Sequence, residues 1–168
     1  MQKKTRTLTL SALFSALTVV SLYIATVWPT GQLGLVAFSS IFAAAAVIES
    51  GLVSGVYVYI LGSALGMLMF PGRAAPLLYI LFFGYYPVVK SLIERVRGTH
   101  LQWVLKLLVF NLSLSVIWFL LRELVFDFGD NTPNAILLYL VGSIVFVLFD
   151  HGFTKVIWLY ISRVSKNK

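Results

Sequence analysis

Cysteine is missing from the 168-residue sequence, and histidine is scarce. Without cysteine there is no disulfide, no thiolate metal ligand and no cysteine nucleophile. The histidines are His100 and His151 alone, and the sequence contains no Walker A, H-E-x-x-H or G-x-S-x-G motif. We therefore expect a protein that is not an enzyme and that carries no metal or cofactor. Any dependence on ATP must come from partner chains.

Charged residues are also few, at 11% of the chain against about 25% in soluble domains. Apolar residues make up 60% of the chain, and the mean hydropathy is +0.93. Apolar runs of about 15 to 20 residues match the length that a helix needs to cross the hydrocarbon core. The composition indicates a multi-pass membrane protein, which we expect in a bacterial plasma membrane.

Breaks in the hydropathy divide the chain into six apolar segments. We expect an all-α integral membrane protein, a compact bundle of six transmembrane helices that forms a single domain over residues 1–168. The second and fourth segments are short for a full crossing, so we expect them to be little tilted, broken or shielded by neighbours. The predicted helices span residues 7–27, 34–48, 52–70, 74–89, 101–121 and 135–157.

Lysine and arginine are distributed unevenly between the two ends of the predicted bundle. One end carries only Arg73 and Arg122, and the other carries Lys3, Lys4, Arg6, Lys90, Arg95, Arg97, Arg163, Lys166 and Lys168. Because cytoplasmic loops retain positive charge, both termini are expected in the cytoplasm. These residues flank the spans and form no arginine-rich stripe with stacking aromatics, so no nucleic-acid partner is expected.

The first predicted helix carries small residues four positions apart, which are Ser11, Ala12, Ser15 and Ala16. Residues at this spacing share a helix face, and small side chains allow the close contact through which helices associate in lipid. Packing within the same chain is one interpretation. Glycines of the third helix offer another surface for internal packing, which would leave the first strip free for a partner protein.

At this point the chain resembles a known family. The basic N-terminus, the "ALFSA" instance of A-x-x-x-A, six short spans in 168 residues and the "WPTGQLG" loop are similar to the substrate-binding S component of energy-coupling factor (ECF) transporters. The resemblance implies that Ala12 and Ala16 dock on the coupling helices of a transmembrane T component. It further implies that a pair of ATPases drives the complex and that the chain binds a vitamin or similar micronutrient from outside.

A binding pocket is expected in the outer half of the bundle, with a few polar groups among apolar walls. The candidates by depth are Gln32, Arg73, Tyr79, Asn111 and Arg122, together with the aromatic residues Trp28, Trp118 and Tyr139. The aromatic residues also fit an interfacial belt. The Asn111 amide must bond a helix neighbour, a water or a ligand, and either arginine can bind an anionic group or pair with Glu123 or Asp127.

Two ionisable residues fall inside predicted spans, where an unpaired charge is costly. Lys106 lies about 7 Å from the cytoplasmic start of the fifth helix, and Asp150 lies at a similar depth in the sixth. We expect them to form a buried structural ion pair. The functional alternative is a proton relay through Asp150 and His151.

Two other functions remain open from the sequence. A non-transporting membrane scaffold that resembles the cell-shape protein MreD has a similar size and hydropathy, and it needs no polar outer pocket. A small secondary transporter would need no ATPases and would depend on Asp150. The S component is the preferred hypothesis.

Overall fold

The computed structural model describes residues 2–125 and 135–163, and the side chains of residues 5–28, 30–120 and 136–163. The side chains of Arg122 and Glu123, and the whole of Asp127 and Asp130, lie outside these ranges. The helices are α1 (Gln2–Val27), α2 (Gln32–Ser50), α3 (Leu52–Met69), α4 (Ala74–Leu78), α5 (Tyr86–Ile93), α6 (Thr99–Val125) and α7 (Ala135–Arg163). A short 3₁₀ turn, Pro29–Gly31, joins α1 to α2.

Within the described residues, six segments are long and apolar enough to cross a membrane. The predicted all-α bundle with six transmembrane segments is therefore confirmed. The predicted boundaries fall within a few residues of the observed ones, except that α7 continues to Arg163 and the fourth span is not one helix. The six segments are Thr5–Val27, Gln32–Ser50, Leu52–Met69, Ala74–Ile93, Thr99–Leu120 and Ile136–Arg163.

The fourth span consists of α4, a π-helical turn at Tyr79–Phe83, and α5. The sequence predicted a single helix over 74–89. Pro87 has no backbone N–H and cannot continue the α-helical ladder to the carbonyl of Phe83. The Gly84 N–H instead bonds the Tyr79 carbonyl at 2.7 Å, five residues back, which widens the turn. This interrupted span is the most buried of the six.

The first three helices pack closely through small residues. Alanines 43–46 of α2 are all buried, and the Ser11 hydroxyl of α1 lies 2.6 Å from the Ser54 hydroxyl of α3. A Cβ atom on Gly62 would stand 2.9 Å from Thr18 Cγ2, so only glycine allows α3 to approach α1 this closely at that point. The third-helix glycines therefore serve packing within the chain.

Aromatic rings join the fourth span to α6 and α7. Phe82 lies 5.0 Å from Tyr86 and 5.5 Å from Phe110, measured between ring centroids. Phe110 of α6 stacks on Phe146 of α7 at 4.6 Å with nearly parallel planes. Because α6 and α7 run antiparallel, this stack fixes their register and places the start of α6 beside the end of α7.

One end of the bundle, called here the N-terminal end, contains the start of α1, the α2–α3 turn, the α5–α6 connection and the end of α7. Glu49, which lies just before this turn, forms an ion pair with the Arg6 guanidinium at 3.5 Å. Its carboxylate also lies 3.4 Å from the Tyr160 hydroxyl. Gly51 makes the turn with a φ of 90°, a left-handed conformation that glycine adopts without strain.

Candidate functional site

The four small residues of α1 point in two directions. Ser11 and Ser15 are buried, with only 2% and 3% of their surface exposed. Ser15 donates to the Ser11 carbonyl at 2.8 Å, while Ser11 meets α3. The two serines therefore belong to the internal packing of the chain, and they do not reach the surface that was predicted to dock a partner.

Ala12 and Ala16 lie about 100° further round α1 and are exposed. They continue into an exposed apolar face with Val20 and Val27, at spacings of three to four residues and multiples of them. The two alanines make this face flat near the N-terminal end, and the larger side chains make it wider further along. Docking of a partner here stays a prediction, which now concerns the alanines alone.

The structure brings Lys106 and Asp150 together. Lys106 Nζ lies 3.0 Å from Asp150 Oδ2, and both residues are buried. Consecutive antiparallel helices place these residues at the same depth, as their distances from the helix ends had indicated. The pair is the centre of a larger polar cluster near the N-terminal end.

Four further residues complete this cluster. Lys90 of α5 also pairs with Asp150, and it donates to Thr154 Oγ1 at 2.9 Å. Glu94 lies 2.9 Å from both lysine ammonium groups, and the Tyr86 hydroxyl donates to Asp150 Oδ1 at 2.5 Å. We call these six residues the Asp150 cluster: Tyr86, Lys90, Glu94, Lys106, Asp150 and Thr154.

Sequence reasoning missed most of this cluster. Lys90 and Glu94 are spaced i,i+4, which by itself indicates only a local ion pair at a helix end. Depth in the membrane is the signal that the sequence offers, since Lys90 and Glu94 directly follow the predicted fourth span and Lys106 lies near the start of the fifth. The rotation of α5 that turns Lys90 towards α7 depends on the interrupted fourth span, and the sequence pattern does not indicate it.

Two ammonium groups and two carboxylates balance the charge of the cluster. Burial raises the pKa of the Glu94 carboxyl, but hydrogen bonds from Lys106 and Lys90 outweigh this and hold the pKa below its usual value. Lys90 uses its donors on Asp150, Glu94 and Thr154. A network in which the charges are paired and the donors are used is a structural tie between α5, α6 and α7.

The predicted substrate-binding residues belong to different segments of the bundle. Gln32 begins α2, and Arg73 is exposed in the turn before α4. The Asn111 amide donates to the Leu107 carbonyl of its own helix at 2.8 Å. In the described part of the chain, no hydrogen bond or ion pair joins any two of Gln32, Arg73, Tyr79 and Asn111.

Tyr79 lies in the interior of the bundle. It is fully buried in the π-helical turn, and its ring packs beside Gly62 of α3 and Gly84. A Cβ atom on either glycine would lie within 3.3 Å of the tyrosine ring. The role of Tyr79 in binding a ligand stays a prediction.

The aromatic candidates have other surroundings. Trp28 is 65% exposed at the end of α1, and the Tyr139 hydroxyl lies 2.7 Å from the Ser115 hydroxyl across α6 and α7. None of the predicted binding residues lines the groove between α6 and α7, whose walls are Leu107, Ser143, Ile144, Val147 and Leu148.

Comparison with known proteins adds no family to these observations: no protein-family model, no curated protein and no solved structure matches the chain. Two features of the structure are candidates for a role: the exposed alanines of α1 and the Asp150 cluster. The first is a candidate surface for protein contact. The second is a candidate structural tie.

Proposed function

We propose that the chain is the membrane-embedded substrate-binding S subunit of an ECF-type importer. In this proposal it captures a vitamin or similar micronutrient from outside, and it delivers the ligand together with a T component and a pair of ATPases. The proposal places both termini in the cytoplasm. The observation that supports it is the exposure of Ala12 and Ala16 on an N-terminal helix whose other face is packed against α3.

Lipid contact alone gives no reason for a flat surface at this position, because lipid tails accommodate large apolar side chains equally well. A partner helix does give a reason, since small residues let two backbones approach and gain van der Waals contact. The inner face of α1 is occupied by hydrogen bonds and by the glycines of α3. Ala12 and Ala16 are exposed beside this packed face, so a T component could contact them.

The Asp150 cluster has a structural role in this proposal. Energy for transport comes from the ATPases, so no proton relay through Asp150 and His151 is needed. His151 is exposed, and in the described residues no hydrogen bond or ion pair joins it to the cluster.

A non-transporting scaffold of the MreD-like type is the second candidate. In the described residues no hydrogen bond or ion pair joins Gln32, Arg73 and Asn111, and this favours the scaffold because a scaffold needs no polar pocket. A scaffold would lose its function through changes on its helix faces, and it would tolerate substitution of these three residues.

Affinity purification from the native membrane in mild detergent tests the proposal. A T component and two ATPases should be recovered with the chain, and mass spectrometry of the extract should detect a bound small molecule. Ala12→Trp and Ala16→Trp should each abolish recovery of the T component, while ligand retention stays unchanged. Ala64→Trp, at an exposed alanine of α3, is the matched control and should keep the partners.

The contrary results are distinct. Recovery of cell-wall machinery without ATPases would replace the S-subunit proposal with the scaffold. Transport in liposomes by the purified chain alone would replace it with a secondary transporter. Loss of the T component in all three tryptophan variants would remove the special role of Ala12 and Ala16.

A further inference from the structure

An open groove with a volume of about 300 Å³ lies between α6 and α7. Leu107 contributes from α6, and Ser143, Ile144, Val147 and Leu148 contribute from α7. The surface that these residues present to the groove is apolar. Whatever fills it must therefore present hydrocarbon there, because a polar group would lose its hydrogen bonds to water and find no replacement.

The groove leads towards exposed basic residues at the N-terminal end. Ile144, Leu148, His151 and Lys155 are spaced four, three and four residues apart, which places them on one face of α7. His151 and Lys155 are both exposed. On α6, His100 lies seven residues, or about two turns, before Leu107, so these two residues share one face of α6. His100 is also exposed.

The register of α6 and α7 brings these residues to the same depth. The Lys106–Asp150 pair and the Phe110–Phe146 stack set the antiparallel alignment. In this alignment, His100 lies level with Val156, one residue from Lys155. Measured along the helix axes at 1.5 Å per residue, His100 and Lys155 each lie about 8 to 9 Å from the Lys106–Asp150 pair, on the side of the N-terminal end.

The charge at this rim is unbalanced. Lys155 has no acidic partner within ion-pair distance among the residues whose side chains are described. The carboxylates at this end are held elsewhere, with Glu49 on Arg6, and Glu94 and Asp150 on the two buried lysines. The rim therefore presents positive charge directly beyond an apolar groove.

We propose that this surface is a binding site for one anionic phospholipid. An acyl chain occupies the groove, and the phosphate lies at Lys155, where His100 and His151 are placed to donate hydrogen bonds. In this arrangement the acyl chain contacts the apolar walls, and the phosphate lies at the basic rim nearer the N-terminal end. Charge complementarity favours a lipid over an apolar helix of a second protein, since such a helix would leave Lys155 without an anion.

Native mass spectrometry of the whole chain in mild detergent tests the site. Dioleoylphosphatidylglycerol should be retained about fivefold more tightly than dioleoylphosphatidylcholine, because one cation near the headgroup contributes on that order. Lys155→Gln should remove most of this preference. Arg163→Gln is the matched control on the same helix and should change the ratio less than Lys155→Gln does.

A second pair of variants tests the groove itself. Val147→Trp fills it and should lower retention of both lipids, whereas Val53→Trp on the exposed side of α3 should not. Equal retention of the two lipids by the unchanged chain, or equal effects of Lys155→Gln and Arg163→Gln, would overturn the headgroup assignment. Cross-linking of two copies through Val147→Cys, in a chain without native cysteine, would make the groove a protein interface and overturn the lipid site.

Discussion

At the scale of single residues, the Asp150 carboxylate is the most constrained group described. It is 2% exposed and accepts from Lys90, Lys106 and Tyr86. The attraction within such a pair has to offset the loss of hydration of each ion, so the intact pair adds little net stability. Removal of one partner destabilises the protein strongly, because the other charge stays buried without a partner. Removal of the carboxylate leaves two buried ammonium groups that share Glu94 alone.

Asp150→Asn should therefore destabilise the protein by about 3 to 5 kcal/mol. Thermal unfolding in detergent, followed by far-UV circular dichroism, measures the effect. The double variant Lys90→Met with Asp150→Asn removes one charge of each sign and should recover part of the lost stability. A stable Asp150→Asn protein that has lost only its transport activity would contradict the structural role and favour the proton relay.

At the scale of the helices, the interrupted fourth span depends on a glycine. Gly84 follows the π-helical turn, and a Cβ atom there would lie 2.7 Å from the rings of both Tyr59 and Tyr79. Gly84→Ala should destabilise the fold by about 1 to 3 kcal/mol, because packed rings cannot move aside without strain. Chemical unfolding in detergent measures this difference.

Gly34→Ala is the matched control for Gly84→Ala. Gly34 lies inside α2, and a Cβ atom there would meet nothing within 4 Å. The substitution should be neutral or should stabilise the protein by about 0.5 to 1 kcal/mol, since alanine favours the helix. Equal losses in both variants would show that the ring contacts at Gly84 do not determine the break.

The sequence predicts the spans well because hydropathy and length are one-dimensional properties. The positions of all six segments could be read from apolar runs, and the depth of Lys106 and Asp150 followed from counting residues along helices. Rotation about the helix axis is a different property. It depends on neighbours that are distant in sequence, so the split between Ser11 and Ala12 and the burial of Tyr79 could not be predicted.

The Asp150 cluster shows the same limit. Its members come from α5 and the residue that follows it, from α6 and from α7, and only Lys106 and Asp150 stand out in the sequence as ionisable residues inside predicted spans. Only the break in the fourth span turns Tyr86 and Lys90 towards α7. A prediction from composition and spacing therefore found one ion pair where the packed molecule forms a network.

At the scale of the whole molecule, α1 has one buried face and one exposed face. The inner face holds the bundle together through Ser11 and Ser15, and the outer face carries Ala12 and Ala16. If the faces are independent, a bulky residue should destabilise the protein on the buried face and have little effect on the exposed face. Ser15→Leu should lower stability by about 1 to 3 kcal/mol, because Ser15 is buried and a larger side chain there overpacks the interior.

Ala16→Leu, one position along, should change the stability by less than about 0.5 kcal/mol, because the side chain enters lipid or detergent at an exposed helix position. Thermal unfolding of the two variants in the same detergent makes the comparison. If recovery of a T component falls in Ala16→Leu while the unfolding temperature does not, the outer face serves assembly and not folding. Equal destabilisation of both variants would mean that the alanine face is covered by the chain itself, and the case for a docking surface would then fail.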